Sequence, residues 1–429
     1  MDKNDKNIVL FINAIRPATF AALDDFERQS GRKLVPVVFI DETIQVAITE
    51  RNVQKHTGQD YDIISADFDS PMSVRTALNK YKDRILAVTS QYENSIHELR
   101  KLVPYLPYIH MPTQSSLEWA TEKKLMRQLL EVHDGSLVPK YLEIKDYSEM
   151  TINEIENHMN YPLVVKPSGL EGSLLVSLVS NREELVSTLD HTSKEIQKGY
   201  DTWIKRQKPV ILVEEFMDGE MYSVDTYISS NGTCYHTPLV RVLTGRSVGF
   251  DDFFGYVRLA PSGLDDEEES HARQTAEEAC HALGLRSKTA HVELMRTKDG
   301  WKIIELGPRI GGYRHDIYRM TYGINHIVND ILIRADEIPV IPTEVIGNTA
   351  IFNIYAKSEG ILDSIEGEDM VRELDSFVSI KQSLHVNDEL FFARNNGDPV
   401  FEIILHHVDG DQLARDINKM EEALVINVR

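Results

Sequence analysis

Residues 291 to 312 constrain the fold most. His291-Val292-Glu293-Leu294-Met295 alternates as a strand does, Lys298-Asp299-Gly300 has hairpin-turn chemistry, and Trp301-Lys302-Ile303-Ile304-Glu305-Leu306 returns as a second strand that ends at Gly307-Pro308. Side chains alternate with period two and the turn sets the register, so pairing of the two strands puts Glu293 and Glu305 side by side with Arg309 just beyond. Neighbouring carboxylates repel unless a cation lies between them. Oxygen ligands of this kind suit Mg²⁺, which takes one or two carboxylates and completes its shell with water and phosphate oxygens. Arg309, a bidentate donor, then faces those phosphates. The same residues also fit a surface hairpin with solvated charges, and the rest of the chain has to decide between the two.

A chain of 429 residues is too long for one ordinary core and predicts several lobes. Its formal net charge of -22 argues against general nucleic-acid or anionic-membrane binding, both of which need a basic footprint. A nucleotide site here needs local Lys, Arg and metal ions. Cys234 and Cys280 are too few for a disulfide framework and lack metal-ligand spacing, so both are read as reduced thiols of a cytoplasmic protein. The polar start, Met1 to Asn7, is not expected to be a signal peptide, and no apolar run approaches the roughly 20 residues of a membrane span.

Along the chain, Ile8 to Ile12, Val35 to Ile40, Ile63-Ile64 and Ile85 to Thr89 are short apolar runs separated by helical stretches, the signature of a doubly wound α/β lobe. Asn13-Ala14-Ile15-Arg16-Pro17 stands where a dinucleotide site would need G-x-G-x-x-G, so a Rossmann-like shape is expected without that cofactor. Thr113 to Leu130 reads as one helix carrying Lys123, Lys124 and Arg127. Tyr161 to Pro167 is a strand ending in Lys166, followed by the glycine-bearing loop 168–173 and a strand from Leu174 to Val179. Lysine beside such a loop suits a phosphate grip, although the motif taken alone fits an exposed hairpin with one chance lysine better. Val210 to Val213 runs into Glu214-Glu215-Phe216, a hinge whose backbone can bind a flat heterocycle. Arg241 to Pro261 reads as a long loop, a helix is expected over Asn325 to Ile333, and the tail is read as strands Ala350 to Ala356 and Val400 to Leu405 with a closing helix near Gln412 to Ala423.

The order of these pieces, Glu122-Lys123-Lys124-Leu125-Met126-Arg127, Val164-Val165-Lys166-Pro167, Leu212-Val213-Glu214-Glu215-Phe216, His291-x-Glu293 and Glu305-Leu306-Gly307-Pro308-Arg309-Ile310-Gly311-Gly312, resembles the ATP-grasp superfamily over roughly residues 115 to 330. Within it the wording looks most like the L-amino-acid ligases, which are dipeptide-forming carboxylate-amine ligases. The resemblance implies an α/β ATP-grasp fold with a Rossmann-like domain at 1–112, a linker helix and small lobe at 113–213, a large lobe at 214–338 and an α+β extension at 339–429. It implies ATP and Mg²⁺, with Mn²⁺ as a substitute, as cofactors. Lys123, Lys166, Gly172 and Ser173 would hold phosphates, and Glu214, Glu215 and Phe216 would lie at adenine with Glu220 near the ribose. Glu293 and Glu305 would bind the metal, and Arg309, Glu305 and Ser173 would serve catalysis. Glu93, Arg246, His291 and Arg314 are candidates for substrate contacts, with a packed histidine and solvated arginines as the competing readings. Two departures stand out: Gly307 replaces an Asn ligand found in many relatives, and Met221 falls where a ribose-binding acid is usual.

The implied chemistry activates a carboxylate as an acyl phosphate, which an amine then attacks to give an amide, ADP and phosphate. Acyl phosphates hydrolyse in water, so the site needs cationic charge and a lid, for which loops 168–173 and 244–258 are candidates. The expected partners are small carboxylate and amine substrates, amino acids first, with no nucleic acid and no membrane; a homodimer is left open. The alternatives are an ATP-grasp ligase for another acyl donor, a carboxylase, and a nucleotide-binding protein without catalysis.

Overall fold

The computed structural model describes residues 6–42, 61–146, 148–170, 172–203 and 208–429. Residues 1–5 of the polar start and Glu171 of the glycine loop lie outside the described residues.

The first four apolar runs form β1 (Ile8–Ile12), β2 (Val35–Asp41), β3 (Asp62–Ala66) and β4 (Ile85–Thr89), a parallel sheet in the order β3-β2-β1-β4. They are apolar throughout because both faces are covered. Leu10 and Ile12 pack with Val37 and Phe39 on one face, and Val9 and Phe11 pack with Val38 and Ile40 on the other. That second face is closed by Val328, Ile331 and Leu332 of the helix His326–Arg334, far along the chain.

Four further strands, β5 (Tyr141–Ile144), β6 (Leu163–Pro167), β7 (Ser177–Val179) and β8 (Ile211–Glu215), make an antiparallel sheet in the order β5-β8-β6-β7. Helices Glu149–His158 and Arg182–Trp203 bury Ile152, Ile155, Leu185 and Leu189 against it. The strand expected from Leu174 begins only at Ser177, since Ser173 (φ 62°) and Leu175 (φ 58°) are left-handed and interrupt extended backbone.

The large lobe is a nine-stranded sheet built from β9 (Gly219–Ile228), β10 (Cys234–His236), β11 (Val240–Thr244), β12 (Gly255–Ala260), β13 (Lys288–Thr297), β14 (Gly300–Gly307) and β15 (Asn348–Ile354), with β17 (Phe377–Gln382) and β19 (Phe401–His407) beyond a small sheet that includes β16 (Gly360–Glu366). The order is β14-β13-β9-β11-β12-β15-β19-β17, with β10 also on β9. One face packs on helix Asp266–Ala282 through Tyr222, Val224, Val292, Leu294 and Ile303 against Ala272, Ala276 and Ala279. The other carries helices Arg314–Tyr322 and His326–Arg334. β18 (Glu389–Leu390), β20 (Val425–Val428) and helix Gly410–Ala423 complete the C-terminal core. Among the described residues no helix is long and apolar enough to cross a membrane.

Three expectations change. The segment read as a loop over Arg241–Pro261 has strands β11 and β12 at its ends, leaving 245–254 as the connection. Arg314–Tyr322 is a helix that the sequence reading lacks; Gly311, Gly312 and the left-handed Tyr313 (φ 60°) before it have the signature of a loop. The helix expected over Thr113–Leu130 is two, Gln114–Thr121 and Lys123–Asp134, broken at an extended Glu122. Ser168 of the small lobe caps the second: its carbonyl accepts from Lys123 N–H at 3.1 Å and its hydroxyl from Lys124 N–H at 2.9 Å. The break thereby fixes the lysine at the first turn against the glycine loop.

Candidate active site

Glu293 and Glu305 are direct cross-strand partners, as expected, but the register that achieves this is irregular. From the turn, Thr297 pairs with Gly300 and Leu294 with Ile303, a phase that continued unbroken would set Ile304 against Glu293. A bulge at this point absorbs Ile304, and Glu293 meets Glu305. Ile303 therefore faces the apolar core while Glu305, two residues on, faces the opposite side. The displaced Ile304 carbonyl accepts from Arg127 Nη2 at 2.7 Å.

Arg127 is fully buried and also grips Glu214, Nε to Oε1 at 2.9 Å and Nη2 to Oε2 at 3.1 Å. Lys166 Nζ lies 2.7 Å from the same carboxylate. Burial opposes the Glu214 charge, but Arg127 and Lys166 outweigh it and hold its pKa down to about 2. Both oxygens of Glu214 are thus occupied, so its side chain anchors two cations from beneath; the Phe216 amide nearby donates to the Pro162 carbonyl at 3.3 Å. Glu215 follows at the end of β8, partly exposed. Burial pushes Lys166 down to about 8 despite Glu214. Lys123 Nζ lies 2.9 Å from Glu305 Oε1 and donates to the Leu170 carbonyl at 2.7 Å. Burial lowers its pKa, but Glu305 outweighs burial and the ammonium stays above the ordinary lysine value. Gly172 and Ser173 both take positive φ in the same loop, which is tethered by the Leu175 N–H to the Arg394 carbonyl at 2.9 Å.

On the face that carries Glu293, the register sets His291 beside Asp225, Glu293 beside Ser223 and Met295 beside Met221. Asp225 is fully buried, accepting from His291 Nδ1 and His326 Nε2, each at 2.6 Å, and from Gly311 N–H at 2.8 Å. Burial opposes ionisation of Asp225, yet the two histidines hold its pKa far below the carboxylate range. Burial would likewise lower His291, but Asp225 raises it above the ordinary value. His291 Nε2 is 3.5 Å from Glu293, whose charge it supports together with Arg314 and Arg309. A Cβ on Gly311 would lie 2.5 Å from His291 Nδ1, so glycine is what lets that backbone reach Asp225. Arg314, for which a solvated turn was an alternative, is buried and donates through Nη2 to Ser223 Oγ at 2.6 Å.

Arg309 Nε pairs with Glu93 Oε2 at 2.6 Å, joining the Rossmann-like lobe to the end of β14. A Cβ on Gly307 would lie 2.9 Å from Glu93 Oε2, so an Asn side chain there would require the Glu93 carboxylate to shift. Arg246 pairs with Asp251 at 2.9 Å and stacks on Phe253, within the 245–254 connection. Glu220 requires a correction. One residue out of phase with Met221, it projects from the opposite face of β9, where Arg241 (2.6 Å) and Arg296 (3.1 Å) flank it, so it does not stand with the carboxylate pair. Arg127, Asp225 and His326 belong to the site without a role predicted from sequence. Arg127 carries a signal in the Glu122–Arg127 motif, and Asp225 as a carboxylate within the strand Tyr222–Ile228.

Lysines on the linker helix and the small lobe, a carboxylate pair on the large lobe and a glycine loop beside them thus belong to one site. Residues 159–316 match the ATP-grasp domain, and the chain carries that domain. An uncharacterized protein y4rH of Sinorhizobium fredii (strain NBRC 101917 / NGR234) is 26% identical over 289 residues, 66% of this chain and 56% of that protein. A D-alanine–D-alanine ligase of Marinomonas sp. (strain MWYL1) is 27% identical over 194 residues, 44% of this chain and 55% of that protein. The match thus spans little more than half the length of these relatives. The solved structure of an L-amino acid ligase from Bacillus licheniformis shares the fold, with a TM-score of 0.75 at 18% identity and 99% of each chain covered.

Proposed function

We propose that this chain is an ATP-dependent carboxylate-amine ligase that joins two amino acids through an acyl phosphate. The observation that carries the reading is the Glu293–Glu305 pair, which has Lys123 at 2.9 Å and Arg309 held by Glu93 at its open end. The pair offers hard anionic oxygens on a partly exposed face, a donor set that suits Mg²⁺. Bound there, the ion would neutralise phosphate oxygens during transfer. Lys123 and Lys166 would hold those oxygens from the linker helix and the small lobe. Arg309 would stabilise the phosphoryl group as a substrate carboxylate oxygen attacks it, forming the acyl phosphate and releasing ADP. An amine would then attack the acyl carbon, expelling phosphate and losing one proton. Loops 172–175 and 245–254 would exclude water while the acyl phosphate exists. The amino-acid ligation named in the Marinomonas relative and in the Bacillus licheniformis structure supports this substrate class.

The test supplies ATP, Mg²⁺ and pooled amino acids, and reads ADP release together with product masses. Expected are ADP formation that needs a carboxylate and an amine together, and a product mass equal to their condensation. Arg309→Ala and Glu305→Ala should each lower turnover at least about 100-fold with an unchanged circular dichroism spectrum. Near-normal rates in either variant would overturn the site.

A further inference from the structure

On the far side of the large lobe, strand β10 and helix Asp266–Ala282 bring together ligand-type side chains that the proposed ligase chemistry does not use. Cys234 and His236 are two apart on the strand and share a face; Glu277 and His281 are four apart on the helix and share a face. One ligand atom from each of Cys234, Glu277 and His281 lies within 4.8 Å of the others. Cys234 Sγ and His281 Nε2 are 3.6 Å apart, matching the separation of about 3.3–3.8 Å that two ligands have around tetrahedral zinc. His236 Nε2 is 3.2 Å from Glu277 Oε2, and its Nδ1 is 3.0 Å from the Thr226 hydroxyl. A carboxylate only accepts, so the ring proton sits on Nε2 and the Thr226 hydroxyl donates to Nδ1. That chain orients the Glu277 carboxylate as outer partners orient metal ligands.

We propose that Cys234 Sγ, His281 Nε2 and a Glu277 carboxylate oxygen bind one zinc-class divalent ion, with His236 as a positioning residue and solvent in the fourth place. Sulfur, imidazole and carboxylate together select zinc or cobalt over magnesium. His281 is exposed and Cys234 and Glu277 are half-buried, so the ion reaches the site from solvent. Binding releases the thiol proton to solvent and moves the His281 proton from Nε2, where it now faces the Gly232 carbonyl at 2.9 Å, to Nδ1. The ion would clamp the β9–β10 turn to the helix. Spacing alone hides such a site, since His236 and Glu277 stand 41 residues apart.

The test titrates the metal-free chain with Co²⁺ alone and reads thiolate-to-cobalt charge-transfer absorption. The carboxylate pair at Glu293 and Glu305 offers only oxygens and cannot give that band. Expected is one thiolate-bound cobalt per chain, displaced by Zn²⁺. Cys234→Ser should abolish the band, His281→Ala should weaken Co²⁺ at least about tenfold, and His236→Ala should weaken it about 10–100-fold while keeping the band. Cys280→Ser, which alters the buried thiol that precedes His281 on the helix, should keep both band and affinity. No thiolate band at saturating Co²⁺, or a band that survives Cys234→Ser, would overturn the assignment. Circular dichroism checks that each variant is folded, and His281, being exposed, can be truncated without a core cavity.

Discussion

Lys166 sits in an environment that leaves its charge conditional. Burial pushes its ammonium down to about 8, and Glu214 only partly compensates. A bound phosphate would favour the charged form. In the free protein the charge is present below about pH 8 and is lost above it, so nucleotide binding above that pH should take up a proton. Affinity should then weaken by up to about tenfold per pH unit. Calorimetry in two buffers of different ionisation enthalpy checks this; proton uptake should vanish in Lys166→Met, and its persistence there would assign the proton elsewhere. Neighbouring Lys123 behaves oppositely because Glu305 outweighs burial and keeps it charged. The sequence shows both lysines but not this difference, which comes from carboxylates 182 and 48 positions away in the chain (305 − 123 and 214 − 166).

Among the elements, the short turn Ala393–Asn395 of the C-terminal subdomain holds both loops that border the site. Its Arg394 N–H donates to Asp252 Oδ2 at 3.0 Å, its side chain pairs with Asp251 at 2.9 Å, and its carbonyl accepts from Leu175 N–H. Arg394→Ala removes the side-chain contact and keeps the two backbone ones. Hydrogen exchange should therefore quicken over 245–254 and stay unchanged over 172–175, while turnover changes within about fivefold, as suits a partly exposed pair. Equal quickening of both loops would show that the side chain, not the backbone, ties them. The period-two alternation and turn of the 291–312 hairpin were legible because both signals are local. The break at Glu122 was not, since glutamate is a good helix former and the capping Ser168 lies in another lobe. Helix Arg314–Tyr322 escaped because its stabilising contacts, such as Arg314 with Ser223, are formed across the fold.

The whole molecule is knitted across its lobes by buried charge. Thr89 donates to Asp330 Oδ2 at 2.6 Å, while Arg334 pairs with Asp330 at 2.9 Å and donates to the Val88 carbonyl at 3.1 Å, fastening the Rossmann-like sheet to helix His326–Arg334. Apolar packing of Val328 and Ile331 on β1 and β2 reinforces the joint. The N-terminal lobe and large lobe should accordingly unfold together, and Arg334→Met, which removes the guanidinium paired with Asp330, should cost about 3–5 kcal/mol. Replacing both residues by apolar ones should cost less; thermal denaturation of the single and double variants checks the order, and equal losses would contradict it. No sequence pattern announces this joint, because its two sides are 241 residues apart at Thr89 and Asp330. Strand β13 keeps one unbroken register with β9 from Lys288 to Thr297, and the bulge at Ile304, whose carbonyl Arg127 holds, takes up the phase difference with β14. Because that ladder fixes the position of β13, residues added at Lys298-Asp299 should lengthen the turn and leave Glu293 paired with Glu305.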